Sequence, residues 1–96
     1  GEMIGAEEGY RIGLFNQVVP HEQLGAETQK LARLLAAKPP MALALVKQAV
    51  YASGNHNLDT MLDIELDHQL RCFASEDATE GLNAFLEKRQ PLFSGK

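Results

Sequence analysis

Apolar residues return every three or four positions along most of this chain, the period of a helix with one covered face. In "HEQLGAETQKLARLLAAKPP", Leu24, Leu31, Leu34 and Leu35 fall on one broad side, and Pro39-Pro40 ends the run. The same prolines suit the first turn of a following helix, where a missing N–H costs little. That helix carries Ala42, Leu45, Val46, Ala49 and Val50 at i, i+3, i+4, i+7, i+8. "SGNHN" breaks it, and Asn57 is placed to cap a long helix that would bury Leu58, Met61, Leu62, Leu66, Leu70 and Phe73. Ser75 then caps a last helix, with Glu76 and Asp77 in its first turn and Ala78, Gly81, Leu82 and Phe85 facing inward.

The opening "GEMIGAEEGYRIGLFNQVVP" changes period halfway. Ala6–Arg11 reads as a short helix begun after Gly5, with Glu7 and Glu8 at its positive end and Gly13 supplying a left-handed stop. Leu14–Val19 then reads as a short strand or extended segment closed by Pro20. A lone strand leaves its backbone groups unpaired, so it requires a sheet from elsewhere. That requirement is a hint of a missing neighbour. The expected fold is mainly α with one short N-terminal strand. The start Gly-Glu-Met, without an initiator methionine, fits part of a longer protein.

Composition narrows the function classes. Ninety-six residues suffice for one modest core. Much of the 45% hydrophobic content is alanine, which favours close-packed helices. A net charge of -4, with basic residues scattered, argues against a nucleic-acid partner. The single Cys72 forms no internal disulfide, and no apolar run is long enough to span a membrane. A cytoplasmic or mitochondrial-matrix setting is expected, with no membrane partner.

Candidate chemistry is sparse. Asp59, Asp63 and Asp67 share an i, i+4, i+8 stripe, which reads as a solvated face relieved by Arg71 rather than a metal site. Glu65 lies beside the apolar stripe, as a rim residue or as one half of an interface pair. His21, His56 and His68 share no ligand spacing. Cys72 lacks an adjacent helper and reads as a buried structural thiol. The glycines at 1, 5, 9 and 13 lack the GxxxxGK[ST] of a phosphate loop. In the tail, Phe85 and Lys88 are three apart, hence on one side of a helix. A ring beside an ammonium suits a purine and a phosphate, although a core phenylalanine passed by a snorkelling lysine fits the spacing as well.

"AEEGYRIGLFNQVVP", "PPMALALVKQAV" and above all "SEDATEGLNAFLEKRQPLF" resemble the C-terminal third of the enoyl-CoA hydratase/isomerase (crotonase) superfamily, over the whole chain. The resemblance implies that residues 1–20 end the crotonase core and that residues 21–96 form the C-terminal helical domain of the crotonase fold, which covers acyl-CoA, packs on its own N-terminal core and builds trimers, often paired as hexamers. It places Phe85 and Lys88 where family members line the CoA pocket of a neighbouring subunit and makes acyl-CoA a substrate, with no separate cofactor and no metal. It puts the two catalytic carboxylates and the oxyanion hole ahead of Gly1, so no catalytic residue is expected in this segment, and the chain alone should be inactive. The glycine of "EG" (Glu80-Gly81) would permit close helix approach, and Pro91 and Phe93 would fix the chain end. Glycines at 5 and 9 depart from the family pattern and suggest a looser first turn. The competing reading is a self-standing helical module that binds another protein, which would leave "GLFNQVV" unpaired.

Overall fold

The computed structural model describes Gly1–Lys96 as five α-helices: α1 (Ala6–Arg11), α2 (Leu24–Ala36), α3 (Pro40–Ala52), α4 (Leu58–Phe73) and α5 (Glu76–Glu87). A single 3-10 turn, His21–Gln23, leads into α2. The chain forms two compact units, Gly1–Ala32 and Arg33–Lys96.

In the first unit, α1 begins after Gly5, which offers no side-chain cap, and stops at Ile12 with Gly13 at φ 79°. Glu8 and Arg11, one turn apart, are joined by two hydrogen bonds of 2.6 and 2.7 Å. The guanidinium holds the Glu8 carboxyl below its ordinary range. The expected strand is absent. The N–H groups of Leu14 and Phe15 donate back to the Gly9 carbonyl, at 2.8 and 3.2 Å, and no residue of the segment pairs in a ladder. With no second strand among these residues, the helix carbonyl is the acceptor within reach. The turn seats the Phe15 ring on Gly9, the one buried residue of α1. A Cβ at Gly9 would stand 2.6 Å from that ring. Gly9 therefore makes room for an aromatic ring rather than loosening the turn.

In the second unit, α3 packs on α4 and α4 on α5. Pro39 caps α3 and Pro40 fills its first position. Asn57 caps α4 by accepting from the Thr60 N–H at 2.9 Å. Ser75 caps α5 through Ala78 N–H at 3.1 Å, while its hydroxyl donates to the Cys72 carbonyl at 2.6 Å. One hydroxyl thus closes the end of α4 and opens α5.

Burial departs from the expected faces. Leu45 of α3 and Ala84 of α5 are the buried apolar residues, and Asp77 is the buried polar one. On α4 the half-buried side is Met61, Ile64, His68 and Cys72, while Leu58, Leu62, Leu66, Leu70 and Phe73 are exposed. On α5, Asp77, Ala78, Gly81 and Ala84 are covered, whereas Leu82 and Phe85 face outward. Val46 and Val50 of α3, and Leu24, Leu31, Leu34 and Leu35 of α2, are exposed as well. Each helix thus has more apolar surface than this chain covers.

Candidate functional site

The tail after α5 folds back along that helix and is held by two of its carboxylates. Asp77 accepts from the backbone N–H of Ser94 at 2.6 Å and of Gly95 at 2.9 Å, and its own N–H donates to the Lys96 carbonyl at 3.2 Å. One turn along, Glu80 accepts two hydrogen bonds from the Arg89 guanidinium, at 2.6 and 2.8 Å, and a third from Leu92 N–H at 2.7 Å. The Arg89 fork holds the Glu80 carboxyl down at about 2, with the Leu92 N–H adding to the effect. The Phe93 ring lies over Gly81, where a Cβ would meet it at 3.6 Å, an ordinary contact. Gly95, at φ 81°, lies beside Pro40 at the start of α3.

Between α5 and this tail lies a left-handed turn. The helix ends at Glu87, and Lys88 caps it at φ 56°, ψ 37°, the only non-glycine residue of the chain with positive φ. Helical register therefore does not relate Lys88 to Phe85. Lys88 lies outside the helix, and its direction is set by the turn. The turn is tied on both sides: Arg89 N–H donates to the Ala84 carbonyl at 3.0 Å, and Arg89 Nε donates to Glu87 at 2.6 Å. Glu80 and Glu87 are both engaged by Arg89, and the Lys88 ammonium has no ion-pair partner. Phe85 is 79% exposed and packs in no core.

The remaining candidates do not converge. Asp59, Asp63 and Asp67 stay on an exposed stripe of α4, where Asp67 meets Arg71 at 3.8 Å. No group of three His, Cys, Asp or Glu residues comes together in a way that could hold a metal. Glu65, His68 and Cys72 line a groove of about 480 Å³ between α3 and α4, together with Leu45, Val50 and Leu62. Cys72 is half-buried there and Glu65 is exposed. Sequence reasoning missed Asp77, Glu80 and Arg89 as the framework of the tail. The side-chain contacts that tie the tail to α5 span 9 to 18 residues across an irregular turn, outside any helical period.

The family model for enoyl-CoA hydratase/isomerase matches residues 1–96, and the chain belongs to that family. It is 44% identical over 96 residues to the 1,2-epoxyphenylacetyl-CoA isomerase of Escherichia coli K12, covering all of this chain and 37% of that protein. It is 40% identical over 95 residues to the crotonyl-CoA hydratase of Syntrophomonas wolfei, covering 99% of this chain and 36% of the relative. Among solved structures, an enoyl-CoA hydratase from Bacillus anthracis superposes with a TM-score of 0.90 at 33% identity, over 95% of this chain and 35% of that one. An enoyl-CoA hydratase subunit from Geobacillus kaustophilus does so with a TM-score of 0.86 at 44% identity, over 97% and 36%. The chain thus spans little more than a third of these relatives. The mainly helical fold is that of the matched part of the crotonase-family structures. No helix is long and apolar enough to cross a membrane.

Proposed function

We propose that this chain is the C-terminal helical part of an acyl-CoA enzyme, a hydratase or isomerase acting on 2-enoyl-CoA thioesters. Within that enzyme it covers part of the CoA pocket and carries subunit contacts. Phe85 offers a ring face for the adenine, and Lys88 offers an ammonium for a phosphate. Acyl-CoA is the substrate, and the reading includes no separate cofactor. The observation that carries the reading is the exposed Phe85 ring near an unpaired lysine held in a left-handed turn. Non-glycine residues in that conformation cluster at ligand clamps and other functional sites. The names of the relatives add support, since isomerase and hydratase alike act on CoA thioesters.

In this reading the apolar stripes of α2, α3 and α4 meet the N-terminal core of the same protein and neighbouring subunits, in a trimer or a pair of trimers. The acid, base and oxyanion donors come from the rest of the enzyme. The two carboxyls with lowered pKa, Glu8 and Glu80, are each held ionised by an arginine, opposite to the raised pKa of a general acid. Lys88→Ala in the full-length protein tests the contact. It should raise the Kd for free CoA and the KM for crotonyl-CoA with little change in kcat, because remote binding energy is lost. Unchanged affinity for both would remove Lys88 from the pocket. Turnover of crotonyl-CoA by the isolated 96-residue chain, above the uncatalysed rate, would refute the division of labour.

A further inference from the structure

Three features surround Lys88 at once. Its backbone occupies a conformation that glycine adopts at no steric cost and that a lysine does not. Glu87, its neighbour in the chain, and Glu80, one end of the tail's clamp, both bind Arg89. The tail beyond it is drawn against α5 through the same Glu80, which also takes the Leu92 N–H. Arg89 follows Lys88 in the turn, donates its N–H to the Ala84 carbonyl and binds both glutamates.

We infer that Arg89, clamped by Glu80, is a positioning residue for Lys88: it holds the left-handed turn and occupies both carboxylates that would otherwise pair with the ammonium, leaving Lys88 free for an anionic phosphate of the ligand. The inference rests on the reading of Lys88 as a CoA contact. The planar fork suits this role. It engages two oxygens of Glu80 while its Nε remains for Glu87, a division that a lysine at 89 does not reproduce. Lys88 is not needed to neutralise either glutamate. Without Arg89, both carboxylates would compete with a phosphate for the one remaining cation and would repel the phosphate themselves.

The sign of one substitution separates positioning from direct contact. If Arg89 itself bound the phosphate, Glu80→Gln would release the guanidinium and hold or improve affinity. As a positioning pair, Glu80→Gln and Arg89→Gln each weaken binding. The probe is free coenzyme A, titrated into the full-length protein, with KM and kcat for crotonyl-CoA measured alongside. Each single variant should raise Kd and KM by roughly ten-fold with kcat nearly unchanged. The double variant should cost little more than either single one, since both remove the same unit. Arg89→Lys, which keeps the charge and loses the fork, should fall between wild type and Arg89→Gln. It serves as the readout if the other variants do not fold.

Lys88→Ala runs in parallel. If it leaves Kd unchanged, the CoA reading of Lys88 fails and this inference falls with it. If it weakens binding while Glu80→Gln and Arg89→Lys do not, the CoA reading stands and the positioning role alone is overturned. A Glu80→Gln protein that binds CoA more tightly than wild type overturns it as well.

Discussion

The Asp77 carboxylate accepts the backbone N–H of Ser94 at 2.6 Å from a position in the first turn of α5 that is only 4% exposed. An acidic residue in that turn serves the helix dipole wherever it points. Here it points inward and becomes the anchor of the chain end. The anion is compatible with burial because its oxygens meet N–H donors from Ser94 and Gly95.

Asp77→Ala should therefore destabilise the protein more than an ordinary surface change. Loss of the hydrogen bonds to a buried anion costs about 1.5–3 kcal/mol. Asp77→Asn keeps one acceptor oxygen and should lose less. Urea unfolding of the two variants gives the comparison, and equal midpoints for Asp77→Ala and wild type would show that the tail is not anchored there.

Gly9 and Phe15 should be coupled with a change of sign. Gly9→Ala places a methyl 2.6 Å from the Phe15 ring, and overpacking of this kind costs about 1–3 kcal/mol. In a Phe15→Ala background the clash is gone, and the same substitution should stabilise by up to about 1 kcal/mol through helix propensity. A double-mutant cycle by thermal melting tests it. Additive effects would mean that the ring does not rest on Gly9 in solution.

The Glu80–Arg89 pair predicts a defined acid dependence. The folded-state pKa of Glu80 is depressed to about 2 from an ordinary 4.5. Its contribution is therefore present in full above about pH 4.5 and is lost as pH falls towards 2. The stability difference between wild type and Glu80→Gln should be constant near neutrality and shrink across that window. A gap that closed between pH 6 and 8 instead would indicate another group.

The isolated chain should self-associate. Leu58, Leu62, Leu66, Leu70 and Phe73 are all exposed along one helix, and Val46 and Val50 add to the apolar surface of the same unit. Apolar patches beyond a few hundred Å² rarely stay open in soluble monomers. Sedimentation equilibrium across a concentration series should show a rising mass. A monodisperse monomer at high concentration would refute the expectation.

The parts of the fold legible in the sequence are those fixed by local rules. Asn57 and Ser75 accept from N–H groups three residues on, Pro40 opens α3, and Gly13 turns left-handed, as short-range backbone chemistry requires. Periodicity showed that α4 is apolar at Leu58, Leu62 and Leu66, but not that this chain leaves the stripe open. A helical period records which residues avoid water, not whose surface covers them. The strand over Leu14–Val19 failed for a related reason, since extended pairing depends on a partner and none lies among these residues. At the candidate site, Phe85 and Lys88 stood out by type. The turn that directs Lys88, and the arginine that frees it, depend on contacts across an irregular segment.

Fastening the chain end to Asp77 orders events during synthesis. A ribosome releases α5 before residues 94–96 exist outside it, so Asp77 waits for partners 17 and 18 positions later. Until they emerge, water must stand in for those N–H donors at the Asp77 carboxylate. A transcript cut short before Ser94 would leave that carboxylate permanently solvated. Such a product would differ from the 96-residue chain not by a few missing surface residues but by an open seam, the kind of defect on which proteolytic surveillance acts.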